Sequence, residues 1–405
     1  MSRARRREQR GRTLVGERFE ITPERVGHGG FVVGRHEGRA VFVRHALPGE
    51  RVVAEVTEGS EGDRFLRADA VEVLDASPDR VEPPCPFAGP GRCGGCDWQH
   101  ASVDSQRLLK AAVVAEQLQR LAGLDVDVTV EALDPDALGW RTRVQWAVSR
   151  SGTAGLRQHR SHDVVPVDRC RIAHPDVAGA PVVRRRPTGV EAIVSSTGEH
   201  LTLVTDTDGT TYADGPEVLH ERAAGRTWRV TRSGFWQVHP QAADTLVAAV
   251  LEALDPQPGE RCADLYSGVG LFSGALADRV GRTGFVAAVE GDRTATADAV
   301  VNLADLPQVS AVADRVDRAL ARGAAGQRVD VVVLDPPRTG AKRDVVEAVA
   351  GLTPRAVAYV ACDPAALARD VAIFAEHGYQ LATLRAFDLF PMTHHVECVA
   401  LLRRS

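Results

Sequence analysis

Lysine is nearly missing from this chain: Lys110 and Lys342 are the only two among 49 basic residues, and arginine supplies the others. Such a bias reads as the coding habit of a GC-rich genome rather than as selection for bidentate phosphate contacts. No apolar run approaches the roughly 20 residues that span a bilayer, which excludes a transmembrane helix. The opening MSRARRREQRGR has no apolar middle of the secretory kind, so a cytoplasmic protein without a membrane partner is expected. Cysteine is sparse and odd in number, seven in 405 residues, which argues against a disulfide framework in a reducing compartment. Internal repeats are lacking too.

What is present fits an ordinary globular chain of two or three domains, 44% hydrophobic and 25% charged. Net charge is −5 but unevenly spread. Residues 1–60 hold twelve Arg and eight Glu with no Asp or Lys, so the positive field sits at the N-terminal end. The plain reading of residues 1–13 is a basic, solvated, disordered tail.

From residue 14 to 75 short alternating segments are separated by Gly- and Pro-bearing turns, about five strands in all, which suggests a small OB-like barrel. Such barrels bind single-stranded nucleic acid through basic and aromatic surfaces, here Phe31, Phe42, Arg35, Arg39 and Arg44, although both Phe residues would serve equally as core. The proline-rich DASPDRVEPP marks a boundary, and a β-rich central domain over 76–232 follows. Within it, 103–123 reads as an amphipathic helix capped by Ser102 or Asp104, ended by Gly123 and expected to pack on the catalytic domain. Hairpins are expected at SRSGTAG and SSTGEH.

Over 233–405 apolar runs ending in Gly, Asp, Glu or Cys alternate with helical stretches, the mark of a doubly wound α/β sheet with ligands at the strand carboxyl ends. DLYSGVG closes the first strand, and Gly268 and Gly270 would let a ligand approach a helix N-terminus. Glu290 ends the next strand, placed to accept from ribose hydroxyls. The third glycine of the dinucleotide fingerprint is missing, which favours S-adenosylmethionine over a nicotinamide. Asp335 stands at a strand tip made rigid by Pro336 and Pro337. Cys362 ends the following strand, and Glu397 opens the last one amid apolar neighbours. A buried carboxyl there would have a raised pKa suited to general-base work. Together a thiol, a base and a methyl-donor pocket suggest methylation of a carbon that becomes nucleophilic only after a thiolate adds to its ring.

The motifs GFWQVHP, DLYSGVG, LDPPRTG, YVACDPAALARD and FPMTHHVECVALL resemble those of the RNA 5-methyluridine methyltransferases, and the N-terminal barrel resembles their TRAM domain. The resemblance implies a Rossmann-like class I methyltransferase domain and methyl transfer from S-adenosylmethionine to C5 of a uridine. It makes Cys362 the nucleophile and Glu397 the base, with Gln237, Tyr266, Glu290 and Asp335 at the cofactor. Ser267, Leu271, His239 and Asp363 depart from the usual residues. The implied partner is RNA, with large-subunit ribosomal RNA favoured and the transfer-RNA T-loop open; a monomer is expected. Rival readings are an amino-group methyltransferase, which would want an aromatic at Arg338, a cytosine-5 enzyme, and a non-catalytic iron–sulfur RNA-binding protein.

The stretch PCPFAGPGRCGGCDWQH holds Cys85, Cys93 and Cys96, and Cys170 follows at a distance. Four such thiolates suit a [4Fe–4S] cluster or zinc equally by spacing. The family resemblance implies the iron–sulfur cluster, with Gly89-Pro90-Gly91 absorbing an insertion after Cys85.

Overall fold

The computed structural model describes residues 11–183 and 187–404, so most of the basic tail lies outside the described residues. The chain divides into two compact units. The first comprises Met1–Leu109, Leu156–Val165 and Met392–His394; the second comprises Lys110–Gly155, Pro166–Pro391 and His395–Ser405.

The first unit is built on a six-stranded sheet, one strand more than the turn spacing suggests, running from Arg18–Ile21 to Phe65–Asp75. Val32, Val41, Val43, Val52, Ala54 and Leu66 alternate inward and form its core. Phe31 is buried and Phe42 half-buried, and the Arg67 guanidinium lies 5.0 and 5.7 Å from their ring centres. Arg44 is not a surface contact residue as expected: it is buried, with Nη2 at 3.5 Å from Asp97 Oδ1.

The second unit carries an eight-stranded sheet. From one edge its strands are Val309–Ala313, Phe285–Glu290, Arg261–Leu265, Val331–Leu334, Ala356–Ala361, Glu397–Arg404, Tyr379–Phe387 and Val130–Glu131. The first five run parallel, while Glu397–Arg404 is antiparallel to both its neighbours. Because both sheet faces are covered by helices, the central strands are apolar throughout, as VVVL and AVAYVA are. The expected hairpins are present as Arg143–Val148 with Ala154–Arg157 and Gly189–Val194 with His200–Thr205. The amphipathic helix runs Val103–Ala122; the Ser102 hydroxyl accepts from Ser105 N–H at 3.3 Å, and Gly123 follows with φ +68°. Its Val114 and Leu118 join the core beneath the sheet. Among the described residues no helix is long and apolar enough to cross a membrane.

Candidate active site

Every candidate catalytic and cofactor residue lies in the second unit, and most lie at the carboxyl ends of its parallel strands. The Arg261–Leu265 strand delivers Asp264, which is fully buried. Its Oδ2 accepts from Ser273 Oγ at 2.5 Å, whereas Oδ1 is buried with no partner. Burial pushes this carboxyl up to about 7, and the Glu290 charge adds to the rise against the Ser273 bonds. Tyr266 follows in the left-handed region, φ +67°, an uncommon backbone for a non-glycine residue and a sign of a tightly constrained turn. Gly268 N–H donates to Glu290 Oε2 at 2.9 Å, and a Cβ built on Gly268 would meet nothing within 4 Å, so open space lies above it. Gly270 is different. Its φ is +96° and its Cβ would come within 2.7 Å of Leu303, so packing and helix entry require this glycine rather than ligand approach.

Asp335 follows the Val331–Leu334 strand, with its N–H on the Leu265 carbonyl at 3.3 Å. Burial raises its carboxyl to about 7, and the charges of Asp264 and Glu290 push the same way. Three carboxyl groups thus crowd one open turn, and one oxygen is left unpartnered. That donor set suits a ligand with a cationic ammonium and sulfonium and with ribose hydroxyls. The residues present fit S-adenosylmethionine. Gln237 is half-buried beside Trp236, and the neighbouring Phe235 is 69% exposed.

The nucleophile and the base meet through sheet register. Ala361 pairs with Cys398 across antiparallel strands, so the next positions outward, Cys362 and Glu397, fall opposite each other on the same face. Cys398, one residue on, faces the apolar core. Burial raises the Cys362 thiol to about 12, with Glu397 adding to the rise and Arg338 opposing it. Glu397 is held well above the usual carboxylate range, first by burial and then by Asp335, again with Arg338 opposing. Asp363 caps the following helix, its Oδ1 accepting from Ala366 N–H at 2.8 Å with Pro364 at the first helical position, and its charge also adds to the rise of the Cys362 thiol. Buried His239 stacks on Trp140 with 6.1 Å between ring centres.

Sequence reasoning gave no site role to Asp264 or Arg338. Asp264 was detectable as a lone acid inside an apolar run. Arg338 was weighed only as a missing aromatic, although it is the cation facing both Cys362 and Glu397.

Of the expected metal ligands, Cys85 and Cys170 are buried and Cys93 and Cys96 half-buried. Cys85, Cys93 and Cys96 belong to the first unit and Cys170 to the second. Among the described residues no group of three or more His, Cys, Asp or Glu side chains is gathered to hold a metal ion. The local geometry of the motif is well defined all the same. Gln99 Oε1 accepts from Cys85 N–H at 3.1 Å, and its Nε2 donates to Cys96 Sγ at 3.2 Å. A Cβ on Gly94 would overlap the His159 backbone at 2.3 Å, and Gly89 to Arg92 forms the inserted turn.

The strand order, the terminal antiparallel strand and the acid-lined turn define an S-adenosylmethionine-dependent methyltransferase of class I. Comparison with known proteins narrows this. Residues 12–71 match the TRAM domain, and residues 320–405 match the family described as tRNA (Uracil-5-)-methyltransferase. An RNA methyltransferase of Streptomyces avermitilis is 51% identical over 96% of this chain and 98% of its own. The 23S rRNA (uracil(1939)-C(5))-methyltransferase RlmD of Acinetobacter baylyi is 32% identical, covering 91% of this chain and 89% of that one. The tRNA (uracil-54, C5)-methyltransferase of Pyrococcus abyssi, solved with S-adenosyl-L-homocysteine, shares the fold with a TM-score of 0.69 at 22% identity, over 95% of this chain and all of that one. The chain belongs to the RNA uracil-C5 methyltransferase family and is an RNA-modifying enzyme.

Proposed function

We propose that this enzyme methylates C5 of a uridine, in ribosomal RNA by preference, through a covalent bond between Cys362 and uracil C6. The observation that supports this most is the Ala361–Cys398 pairing, which sets Cys362, one residue past its strand, opposite Glu397 beside an acid-lined cofactor turn. Bound S-adenosylmethionine would supply an electrophilic methyl group and leave as the thioether. Asp264, Glu290, Asp335, Tyr266, Gly268 and Gln237 are the residues proposed to hold it, with Gly270 shaping the turn behind them. Uracil C5 is too electron-poor to attack that methyl unaided. The Cys362 thiolate adds to C6, and the ring electrons move to C5 as an enolate. C5 takes the methyl group and then carries both methyl and hydrogen. The Glu397 carboxylate removes that hydrogen as a proton, the C5–C6 double bond re-forms and Cys362 leaves.

Loss of the base and loss of the nucleophile should therefore look different. Glu397→Gln adds, methylates and stalls, accumulating a protein–RNA adduct that survives denaturing electrophoresis. Cys362→Ala gives neither methylation nor adduct. Normal turnover by Glu397→Gln would remove Glu397 as the base. Mapping 5-methyluridine in a deletion strain decides between ribosomal and transfer RNA; the RlmD relative favours the former.

The same reading takes in the remaining parts of the chain. Residues 1–13, 14–75, 76–232 and 233–405 are proposed as tail, TRAM domain, central domain and catalytic domain of a cytoplasmic monomer. Cys85, Cys93, Cys96 and Cys170 are proposed, on the family resemblance, as ligands of a [4Fe–4S] cluster with no part in methyl transfer. Protein purified without oxygen should then be brown with about four iron per chain. Colourless protein without iron overturns the cluster and leaves the methyltransferase intact.

A further inference from the structure

A half-buried thiol and a buried carboxyl at one site call for a cation, and the Arg338 charge opposes the pKa rise of both. An arginine side chain on an exposed turn has many rotamers, so its usefulness depends on what holds it. Asp335 and Glu397 are poor candidates, because a carboxylate bound to the guanidinium would cancel the charge that the thiolate needs. His395 is placed for the task. Its Nε2 lies 3.3 Å from Arg338 Nη2. A guanidinium can only donate, so Nε2 accepts, and the imidazole is neutral with its proton on Nδ1.

The ring is itself fixed from behind. Its edge packs against Phe390, 5.9 Å between centres at 76°, and Phe390 packs in the same manner on Trp140. The Phe390 carbonyl accepts from Lys110 Nζ at 3.1 Å, and Lys110 is fully buried in an ion pair with Asp388. A continuous set of contacts thus runs from a buried lysine to the catalytic cation.

We propose that His395 is a positioning residue whose neutral imidazole holds the Arg338 guanidinium beside Cys362 and Glu397 without neutralising it, an inference that rests on reading Cys362 as the nucleophile. The protein solves two requirements with one side chain. A neutral acceptor orients the cation, and the full positive charge stays available to the thiolate and to the enolate oxygen formed when C6 is attacked.

The test is the rate of iodoacetamide alkylation at Cys362, followed by peptide mass spectrometry in the full-length protein without RNA, at about pH 8.5, where rate follows thiolate fraction. The charged groups facing Cys362 are Glu397, Arg338, Asp335 and Asp363, and none is altered in the His395 variants. His395→Ala should slow alkylation about tenfold, equivalent to about one pH unit, approaching the loss in an Arg338→Ala reference. His395→Gln offers a neutral amide acceptor and should stay within about twofold of wild type. His395→Glu should hold the guanidinium yet lose rate as His395→Ala does, because it cancels the charge. That last contrast separates positioning from a merely structural role. Wild-type alkylation rates in His395→Ala overturn the inference. Should His395→Ala fail to fold, equal rates in His395→Gln and His395→Glu overturn it instead. A wild-type adduct on 5-fluorouridine RNA with unchanged alkylation in the variants removes His395 alone. Absence of that adduct removes the transfer chemistry, and this inference with it.

Discussion

Asp264 and Asp335 show most directly how burial and charge set up the site. Their carboxyl groups are raised from an ordinary 3.8 to about 7, chiefly by burial. A carboxyl raised in the folded state favours its protonated form, so its contribution to stability is full below about pH 4 and is lost as pH rises through about 7. The cofactor-free protein should therefore melt at progressively lower temperature across that window. Asp335→Asn cannot titrate, so its melting temperature should fall less between the same limits. Thermal unfolding of both proteins at several pH values checks this, and parallel curves would refute it. A bound cation reverses the balance, since it favours the ionised carboxylates. The melting-temperature gain on adding S-adenosylmethionine should grow with pH in the wild type and largely vanish in Asp335→Asn.

At the scale of elements, the nine residues from Asp388 to Val396 decide where the base stands. They join the antiparallel strands Tyr379–Phe387 and Glu397–Arg404, and Asp388 is anchored at both ends of its own residue. Its N–H donates to the Glu131 carbonyl at 2.8 Å, and its carboxylate pairs with fully buried Lys110. Removing one member of such a pair strands a charge in the interior, which costs about 3–5 kcal/mol. Lys110→Met should lose stability of that order by denaturant titration. The double variant Lys110→Met with Asp388→Leu should recover most of it, because neither charge is then buried alone. Failure of the double variant to recover would mean that the Lys110 bond to the Phe390 carbonyl outweighs the ion pair. The neighbouring Met392–His394 segment is held within the first unit, where Asp97 Oδ2 takes the His394 Nδ1 at 2.6 Å and the Met392 carbonyl accepts from Asp97 and Trp98 N–H.

For the molecule as a whole, a net charge of −5 makes the placement of arginine on the TRAM sheet more telling than its number. Arg44 is buried and Arg39 reaches the carbonyls of Ser60 and Glu61, which leaves Arg35 as the exposed arginine of the original trio. Arg35→Ala should weaken RNA binding and reduce the salt dependence of affinity by about one unit of slope, as loss of one phosphate contact does. S-adenosylmethionine affinity should be unchanged. An unaltered salt slope in filter binding would take Arg35 out of the RNA contact.

The strands that carry the site were legible because fully buried parallel strands have a strong signature, apolar runs such as VVVL and AVAYVA closed abruptly by Asp335 and Cys362. The helix over 103–122 was legible through its cap and its terminal glycine. Cys362 and Glu397 could be named from sequence because a thiol and an acid at strand ends are chemically conspicuous. What pairs them is long-range register, set when Ala361 meets Cys398 across strands some thirty-seven residues apart in sequence, and no local pattern encodes that. The same holds for the residues that sequence reading undervalued. Arg44 looks like a surface cation until Asp97, fifty-three positions away, draws it inward, and Gly270 looks like a ligand contact until Leu303 fills the space. Composition and periodicity determined the elements and the chemistry available to them, because burial and backbone preference act on neighbours in the chain. Tertiary structure alone decided which charges face which, because electrostatic and packing partners are chosen by proximity in space.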